Sequence, residues 1–151
     1  MRGLWLLLHL LGFTLWLGGG IATMVVGVTA KSFAPDQRLA AYRVTSAVQR
    51  ILVGPGVAAV LLSGLVLSMP FMKAGTVPGW LMLMMLVGLV GALISLVVVV
   101  PIAARLGGLE LDPRGELPES FAALRRRLVV GASIGGGLGL VALVAGTVMR
   151  G

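Results

Sequence analysis

Four long runs of residues without a charged side chain constrain the fold of this chain more than any other feature. They extend from 3 to 30, 51 to 72, 80 to 104 and 128 to 149. About 20 apolar residues in an α-helix cross the roughly 30 Å hydrocarbon core of a bilayer, so each run is long enough to span it. Because lipid offers no hydrogen-bond partner to backbone groups, each run is expected to be helical. The sequence therefore predicts an all-α membrane protein, a bundle of four transmembrane helices in one domain of residues 1–151.

The composition excludes an ordinary water-soluble domain. Hydrophobic residues make up 58% of the chain and charged residues only 11%, whereas soluble domains carry about 25% charged residues. The first apolar run is longer than the core of a secretory signal, which has about 7 to 15 residues, so we expect it to remain as a span. The chain contains no cysteine, which excludes disulfides, thiolate catalysis and thiolate metal sites.

Lysine and arginine cluster at one end of the four predicted spans. Nine of them fall in the two long loops and three at the opposite end. The nine are Lys31, Arg38, Arg43, Arg50, Arg105, Arg114, Arg125, Arg126 and Arg127, and the three are Arg2, Lys73 and Arg150. Since positive loops stay in the cytoplasm, we expect loops 31–50 and 105–127 to be cytoplasmic and both termini to lie outside, in the periplasm. The net charge of +7 is therefore interpreted as a topology signal, and no nucleic-acid partner is expected.

Prolines and glycines divide the cytoplasmic loops. Pro35 suits the first turn of a helix, and the weakly amphipathic stretch after it can continue into the second span. Pro55 cannot donate a hydrogen bond to the carbonyl of Ile51, which predicts a kink or local unwinding there. In the second loop, Pro118 marks a helix start that leads into the fourth span.

His9 is the only histidine and the only ionisable side chain within a predicted span. Histidine inside a membrane usually faces the bundle, and such a residue is by default a hypothesis for a functional site. The alternative is that neutral His9 donates one interhelical hydrogen bond, for example to a serine or a backbone carbonyl, and fixes the packing. The first interpretation requires additional ligands, and the second requires only a hydrogen-bond acceptor on a neighbouring helix.

Methionines cluster at the same end of the predicted bundle as His9. Imidazole and thioether groups suit Cu(I), so a copper site at the outer leaflet is one hypothesis. Methionine is also a flexible apolar filler, and packing is the alternative. A b-type haem with His9 as axial ligand is a second hypothesis, which needs a methionine or a second protomer's histidine. The candidate metal or haem ligands are His9, Met69, Met72, Met82 and Met85, and Met149 ends the fourth span on the same side.

Glycines form ridges on the predicted helices. In the fourth span they recur at four-residue spacing, which lets another helix approach closely. Intramolecular packing and docking of a second subunit are both open interpretations of this ridge. The candidate packing residues are Gly12, Trp16 and Gly20 in the first span and Gly131, Gly135, Gly139 and Gly146 in the fourth.

The spans contain no Asp, Glu, Lys or Arg, so a proton relay built on buried charges has no residues to use. All five acidic residues lie in cytoplasmic loops without a histidine beside them. This pattern does not favour a hydrolase or a carboxylate-metal centre, and we expect no enzymatic activity.

Several short segments resemble a known family. His9-Leu10 and Trp16-Leu17-Gly18-Gly19 resemble the opening helix of copper-resistance protein D-like membrane proteins and of related uncharacterised four-helix bacterial families. Pro55, Ser63-Gly64-Leu65 and Trp80-Leu81 are also similar to that pattern. The larger copper proteins have more spans and further ligands, and only His9 matches a candidate ligand here.

The sequence thus predicts a multi-pass protein of the bacterial inner membrane. Our leading hypothesis is a non-catalytic accessory subunit that associates with a membrane-protein partner, or with a second copy of itself, through glycine-rich faces. The alternative is copper(I) or haem handling through His9 and methionines.

Overall fold

The computed structural model describes residues 1–148, and these form helices joined by turns and by one longer loop, 108–119, with no β-strand among them. The candidate residue Met149 and the basic residue Arg150 lie outside this described part. The α-helices are α1 (Arg2–Thr29), α2 (Pro35–Val48), α3 (Gly54–Lys73), α4 (Gly79–Ile94), α5 (Val100–Gly107) and α6 (Ser120–Thr147). One 3-10 turn, Ala30–Ser32, extends α1, and two π-helical turns, Gln49–Val53 and Ser95–Val99, join α2 to α3 and α4 to α5.

Four continuous helical stretches are long and apolar enough to cross a membrane, which confirms the predicted four-span architecture. They are Arg2–Ser32, Pro35–Lys73, Gly79–Gly107 and Ser120–Thr147. The second has 39 residues, or about 58 Å at 1.5 Å per residue, nearly twice the hydrocarbon thickness. The helix predicted to begin at Pro35 and to continue into the second span is confirmed, since α2 occupies most of the segment 31–50.

Each π-helical turn is followed by a proline at the same spacing. The amide of Gly54 donates to the carbonyl of Gln49, five residues back, and the amide of Val100 donates in the same way to that of Ser95. Pro55 and Pro101 come next, and neither can donate the following hydrogen bond. The unwinding predicted near Pro55 is thus a π-helical turn. The matching turn before Pro101 was not predicted.

The helices change partners at the two π-helical turns. At the end that carries the short 74–78 connection, called here the hairpin end, α1 packs against α3 and α4 packs against α6. At the opposite end, called the loop end, α2 packs against α5. The second and third spans therefore pack against each other at the loop end, through α2 and α5. At the hairpin end the second span packs against α1 and the third packs against α6.

Two buried clusters hold these contacts together. The cluster at the loop end contains Tyr42, Leu106 and Leu128, and the rings of Tyr42 and Phe121 meet edge to face with centroids 5.4 Å apart. The second cluster surrounds Trp16, which is only 2% exposed. Trp16 lies where α1 meets α4 and α6, since glycines of both helices face its ring.

Large apolar side chains cover the outside of the bundle. Ile21, Leu62 and Val97 are each more than 60% exposed, and similar residues occur on all four spans. Exposed apolar area on this scale is costly in water and expected in lipid. The protein is accordingly a multi-pass membrane protein.

Candidate functional site

Three side chains at seven-residue spacing on α1 each form a hydrogen bond with another helix. They are His9, Trp16 and Thr23. Seven residues are almost two helical turns, so the three share one face and lie about 10 Å apart along the axis. This polar face of α1 is the candidate functional site.

His9 bonds to α3 through one ring nitrogen. Its Nδ1 lies 3.1 Å from the carbonyl oxygen of Val60 and 3.0 Å from Oγ of Ser63. The carbonyl can only accept, and the Ser63 hydroxyl donates to the carbonyl of Ala59, so Nδ1 carries the hydrogen. Nε2 has no hydrogen-bond partner within residues 1–148. In a neutral imidazole it is the nitrogen with a free lone pair.

Gly64 makes room for the imidazole ring. A Cβ atom at this position would lie 3.2 Å from Cε1 of His9 and 3.6 Å from Nδ1. The imidazole ring therefore packs against the backbone of α3 at Gly64. The ring of half-buried Phe13, also on α1, has its centroid 6.4 Å from that of the His9 ring. The hydrogen bonds and this close approach fix the ring orientation.

Trp16 occupies the middle of the α1 face. Its indole Nε1 donates a 3.0 Å hydrogen bond to Oγ of Ser95, which itself donates to the carbonyl of Gly91. Both side chains are buried, and each polar hydrogen has an acceptor. Trp16 was predicted as a packing residue, and it is also a donor to the π-helical turn of the third span.

Thr23 accepts a hydrogen bond from the other π-helical turn. Nε2 of Gln49 donates to Oγ1 of Thr23 over 2.8 Å, while Thr23 donates to the carbonyl of Gly19. Gln49 is fully buried, and its Oε1 accepts no hydrogen bond from the residues that the structure describes. Gln49 and Ser95 are thus the first residues of the two π-helical turns, and both bond to α1.

Arg125 of α6 forms hydrogen bonds with two other helices at the loop end. Nε of Arg125 donates to the hydroxyl of Tyr42 over 3.0 Å. Nη2 of Arg125 donates to the carbonyl of Gly27 over 2.9 Å. Gly27 lies in the last turn of α1, where a positive charge also favours the negative end of the helix dipole. Arg125 was counted only as a topology signal in the sequence, so this structural role was missed.

Two of the candidate methionines, Met69 and Met72, lie on faces of α3 that do not contact His9. Met69, Met72 and Met82 are 43%, 53% and 53% exposed, and Met85 is half-buried. At 100° per residue, Met69 and Met72 lie about 120° and 180° around α3 from Ser63, which faces His9. Met69 and Met72 therefore do not lie on the face of α3 that contacts His9.

Most of the predicted packing glycines face neighbouring helices within the chain. A Cβ at Gly12 would lie 2.7 Å from the carbonyl of Gly56. The ridge on α6 meets other helices of the bundle at each position. Its hypothetical Cβ contacts are with Val99 at Gly131, Ser95 at Gly135, Leu17 at Gly139 and Met84 at Gly146. This ridge provides the intramolecular packing that was one of its two interpretations.

Gly20 behaves differently from the other predicted packing residues. A Cβ atom there would meet nothing within 4 Å, and the same holds for Gly18, Gly136 and Gly137. These glycines are in helices within the apolar spans, so close packing inside the chain does not explain them.

The described residues contain no group of three or more His, Asp or Glu side chains that could hold a metal ion. No family model matches this chain. None of the curated proteins and none of the solved structures compared with it matches either.

The interhelical hydrogen bond expected from His9 to a serine or a backbone carbonyl is present, with Ser63 and Val60. The partners of Trp16 and Thr23, which are Ser95 and Gln49, were not predicted. Ser63, Ser95 and Gln49 are uncharged, so a search for buried charges does not find them. In the sequence, each of them is a lone polar residue at the edge of an apolar run or inside one. Gln49 and Ser95 are each also followed by a proline six residues later. Glutamine and serine in such positions usually bond across helices.

Proposed function

We propose that this protein is a non-catalytic accessory subunit, which associates with another transmembrane helix along the seam between α1 and α6. The proposed location is the inner membrane of a bacterium, with both termini outside. Its charge distribution supports this orientation, because nine basic residues lie in the two long loops. The observation that carries the proposal is a pair of half-buried glycines, Gly20 and Gly136, at which a Cβ atom would meet nothing within 4 Å and which are called uncovered here.

Neighbouring contacts define the position of this pair. A Cβ at Gly139 would lie 3.2 Å from Leu17 of α1, and one at Gly27 would lie 3.9 Å from Val129 of α6. Because α1 and α6 are antiparallel, a step of three residues forward from Leu17 on α1 matches a step of three residues back from Gly139 on α6. These steps bring Gly20 level with Gly136. Helical rotation also places Gly20 between Leu17 and Gly27, and Gly136 between Gly139 and Val129. The two glycines thus leave a notch in the seam.

Energetics support an external partner for this notch. A glycine within a helix costs about 1 kcal/mol relative to alanine, so it is unfavourable where no close contact needs it. Small residues on membrane helices let a partner backbone or a large side chain approach closely. An external helix seated on the α1–α6 seam would use the space that Gly20 and Gly136 leave open.

The test is assembly in mild detergent. We expect the wild-type chain to migrate in native electrophoresis as a complex larger than its 15.6 kDa monomer, and mass spectrometry of that band to identify a second subunit or a second copy. Gly20→Leu and Gly136→Leu should release the monomer, because leucine fills the notch. Gly18→Leu is the matched control, since Gly18 lies on α1 about 160° from Gly20. A wild-type monomer, or equal effects at Gly18 and Gly20, would contradict the proposal.

The alternative function is metal or haem handling through His9, and one observation favours it. Metal-ligating histidines usually donate through one ring nitrogen to a carbonyl or other acceptor and bind the metal with the other. His9 has this arrangement, with Nδ1 bonded to α3 and Nε2 free among described residues. The donor set fits a haem shared with a second ligand better than a copper site of His9 with Met69 and Met72, since these two methionines lie on other faces of α3 than Ser63.

Visible absorption and metal analysis of gently purified protein test this alternative. A Soret band or stoichiometric copper that His9→Ala removes would support it. Ser63→Ala, which removes one contact of Nδ1 and leaves the imidazole, should weaken the bound group less than His9→Ala. Protein with neither copper nor a Soret band would refute metal or haem handling without affecting the accessory-subunit proposal.

A further inference from the structure

A crevice of about 330 Å³ opens between α2 and α5 at the loop end of the bundle. Arg43 and Arg50 form one side of it, with Ser46 between them. The other side is formed by Ala104, Gly107 and Gly108. The crevice is distinct from the polar face of α1 and from the α1–α6 seam.

The two arginines face the crevice from the same side of one helix. They are seven residues apart, so they share a face and lie about 10 Å apart along the axis. Both are exposed, and neither guanidinium has a hydrogen-bond or ion-pair partner within residues 1–148. The lining contains no acidic residue. Two unpaired guanidinium groups beside one concave surface give the crevice a positive potential.

Close helix packing forms the floor of the crevice. A Cβ atom at Gly107 would lie 2.6 Å from Cβ of Ser46, so only glycine allows α2 and α5 to approach this closely. The neighbouring Ala104 and Ala47 are small as well. The floor of the crevice is therefore set by the close packing of α2 against α5.

The crevice lies at the boundary between the charged and apolar parts of the chain. Ile51 and Ala104 line it, and they are the first residue of the second apolar run and the last residue of the third. Arg50 and Arg105 stand directly outside these runs. This boundary corresponds to the headgroup level of a bilayer, where anionic lipids meet basic side chains.

We propose that this crevice binds the headgroup of an anionic phospholipid. The phosphodiester accepts hydrogen bonds from Arg43 and Arg50, since guanidinium groups match the geometry of phosphate oxygens. The acyl chains lie along Ile51, which is 68% exposed. A zwitterionic lipid binds less well, because its choline or ethanolamine cation meets two arginines.

The experiment measures lipid preference directly. Purified protein is mixed with phosphatidylglycerol and phosphatidylcholine, and native mass spectrometry gives the dissociation constant of the first bound lipid. A juxtamembrane arginine contributes about 1 kcal/mol to binding of anionic lipid, so two predict a preference of about tenfold or more for phosphatidylglycerol. The variant Arg43→Gln/Arg50→Gln should bind the two lipids nearly equally.

Two further variants separate a built site from diffuse attraction. Ala104→Phe fills the crevice without changing the charge, and it should lose the preference as the double arginine variant does. Arg126→Gln/Arg127→Gln removes the same charge from exposed positions outside the crevice, and it should keep the preference. A wild-type preference in Ala104→Phe, or an equal loss in the Arg126/Arg127 variant, would overturn the proposal.

Inorganic phosphate distinguishes a lipid from a free anion. Phosphate lacks acyl chains that can lie along Ile51, so millimolar phosphate should not displace phosphatidylglycerol. Displacement at millimolar phosphate would show that the crevice binds the anion alone, and the assignment to lipid would be wrong.

Discussion

The indole Nε1 of Trp16 donates to Oγ of Ser95 across the middle of the bundle, at the residue where the third span becomes π-helical. Gln49 begins the π-helical turn of the second span and likewise bonds to α1, through Thr23. Local departures from α-helix often mark functional or adaptable positions. Here the first residue of each π-helical turn forms a hydrogen bond with the same face of α1.

Breaking the Trp16–Ser95 bond should destabilise the bundle modestly. Interhelical hydrogen bonds in membrane proteins contribute about 0.6 kcal/mol on average and about 1.7 kcal/mol at most. We expect Trp16→Phe and Ser95→Ala to show a coupling energy in this range in a double-mutant cycle, measured by unfolding in mixed micelles. Additive effects of the two substitutions would show that the bond contributes nothing measurable.

Gln49 should be replaceable by an apolar residue of similar size. Its buried Oε1 accepts no hydrogen bond from residues 1–148, and an unsatisfied buried polar group costs about 1–3 kcal/mol. Gln49→Met removes that cost together with the bond to Thr23, so the unfolding free energy should stay within about 1 kcal/mol or rise. Thr23→Val leaves both polar atoms of the amide unpaired and should be the more damaging change. The reverse order would contradict this account of Gln49.

Adjacent glycines on α6 should respond differently to alanine. A Cβ at Gly135 would lie 2.9 Å from Oγ of Ser95 and 3.3 Å from the carbonyl of Gly91, whereas one at Gly136 meets nothing within 4 Å. Gly135→Ala should lower the unfolding free energy by about 1–3 kcal/mol through overpacking. Gly136→Ala should be neutral or stabilising by up to about 1 kcal/mol, because alanine favours helix. Equal effects in thermal unfolding would show that α4 and α6 are not packed this closely.

Arg125 should be sensitive even to lysine. A single ammonium cannot reproduce two guanidinium hydrogen bonds to Tyr42 and Gly27, and hydrogen bonds with charged groups contribute about 1.5–3 kcal/mol each. Arg125 is partly buried, so we expect Arg125→Lys to cost about one such bond. Arg126→Lys, at an exposed neighbour, is the matched control and should be silent. Hydrogen exchange at the end of α1 should rise only in the Arg125 variant.

The predicted orientation can be tested without background labelling, since the chain has no cysteine. A membrane-impermeant maleimide added to intact cells with a permeabilised outer membrane should label Thr76→Cys, in the connection between α3 and α4. Glu116→Cys, in the loop between α5 and α6, should be labelled only after the inner membrane is opened. The opposite pattern would reverse the proposed orientation.

The helix number was predictable because uncharged runs of 22 residues or more leave only one backbone solution in lipid. The break near Pro55 was predictable for a similarly local reason, the missing amide hydrogen. Pro101 has the same chemistry, but it lies near the end of the third run and was not considered. Each proline follows a π-helical turn whose first residue, Gln49 or Ser95, forms a hydrogen bond with α1. Those hydrogen bonds depend on which helices become neighbours.

The candidate site was predicted less completely. His9 was identified by its ionisable side chain, and the structure places it against Ser63 and Gly64 of α3. The methionines were grouped with it because they share an end of the bundle. A shared end does not define a shared face, and rotation of α3 turns Met69 and Met72 away from His9.

The sequence by itself determined that this chain has four helices long and apolar enough to cross a membrane, because hydropathy and backbone hydrogen bonding are local requirements. It also determined which positions are small enough for close helix contacts. Only the tertiary structure decided that the ridge at Gly135 and Gly139 packs inward while Gly20 and Gly136 stay uncovered. Helix rotation and pairing decide this, since lipid is as apolar as the core and gives the sequence no inside-to-outside contrast.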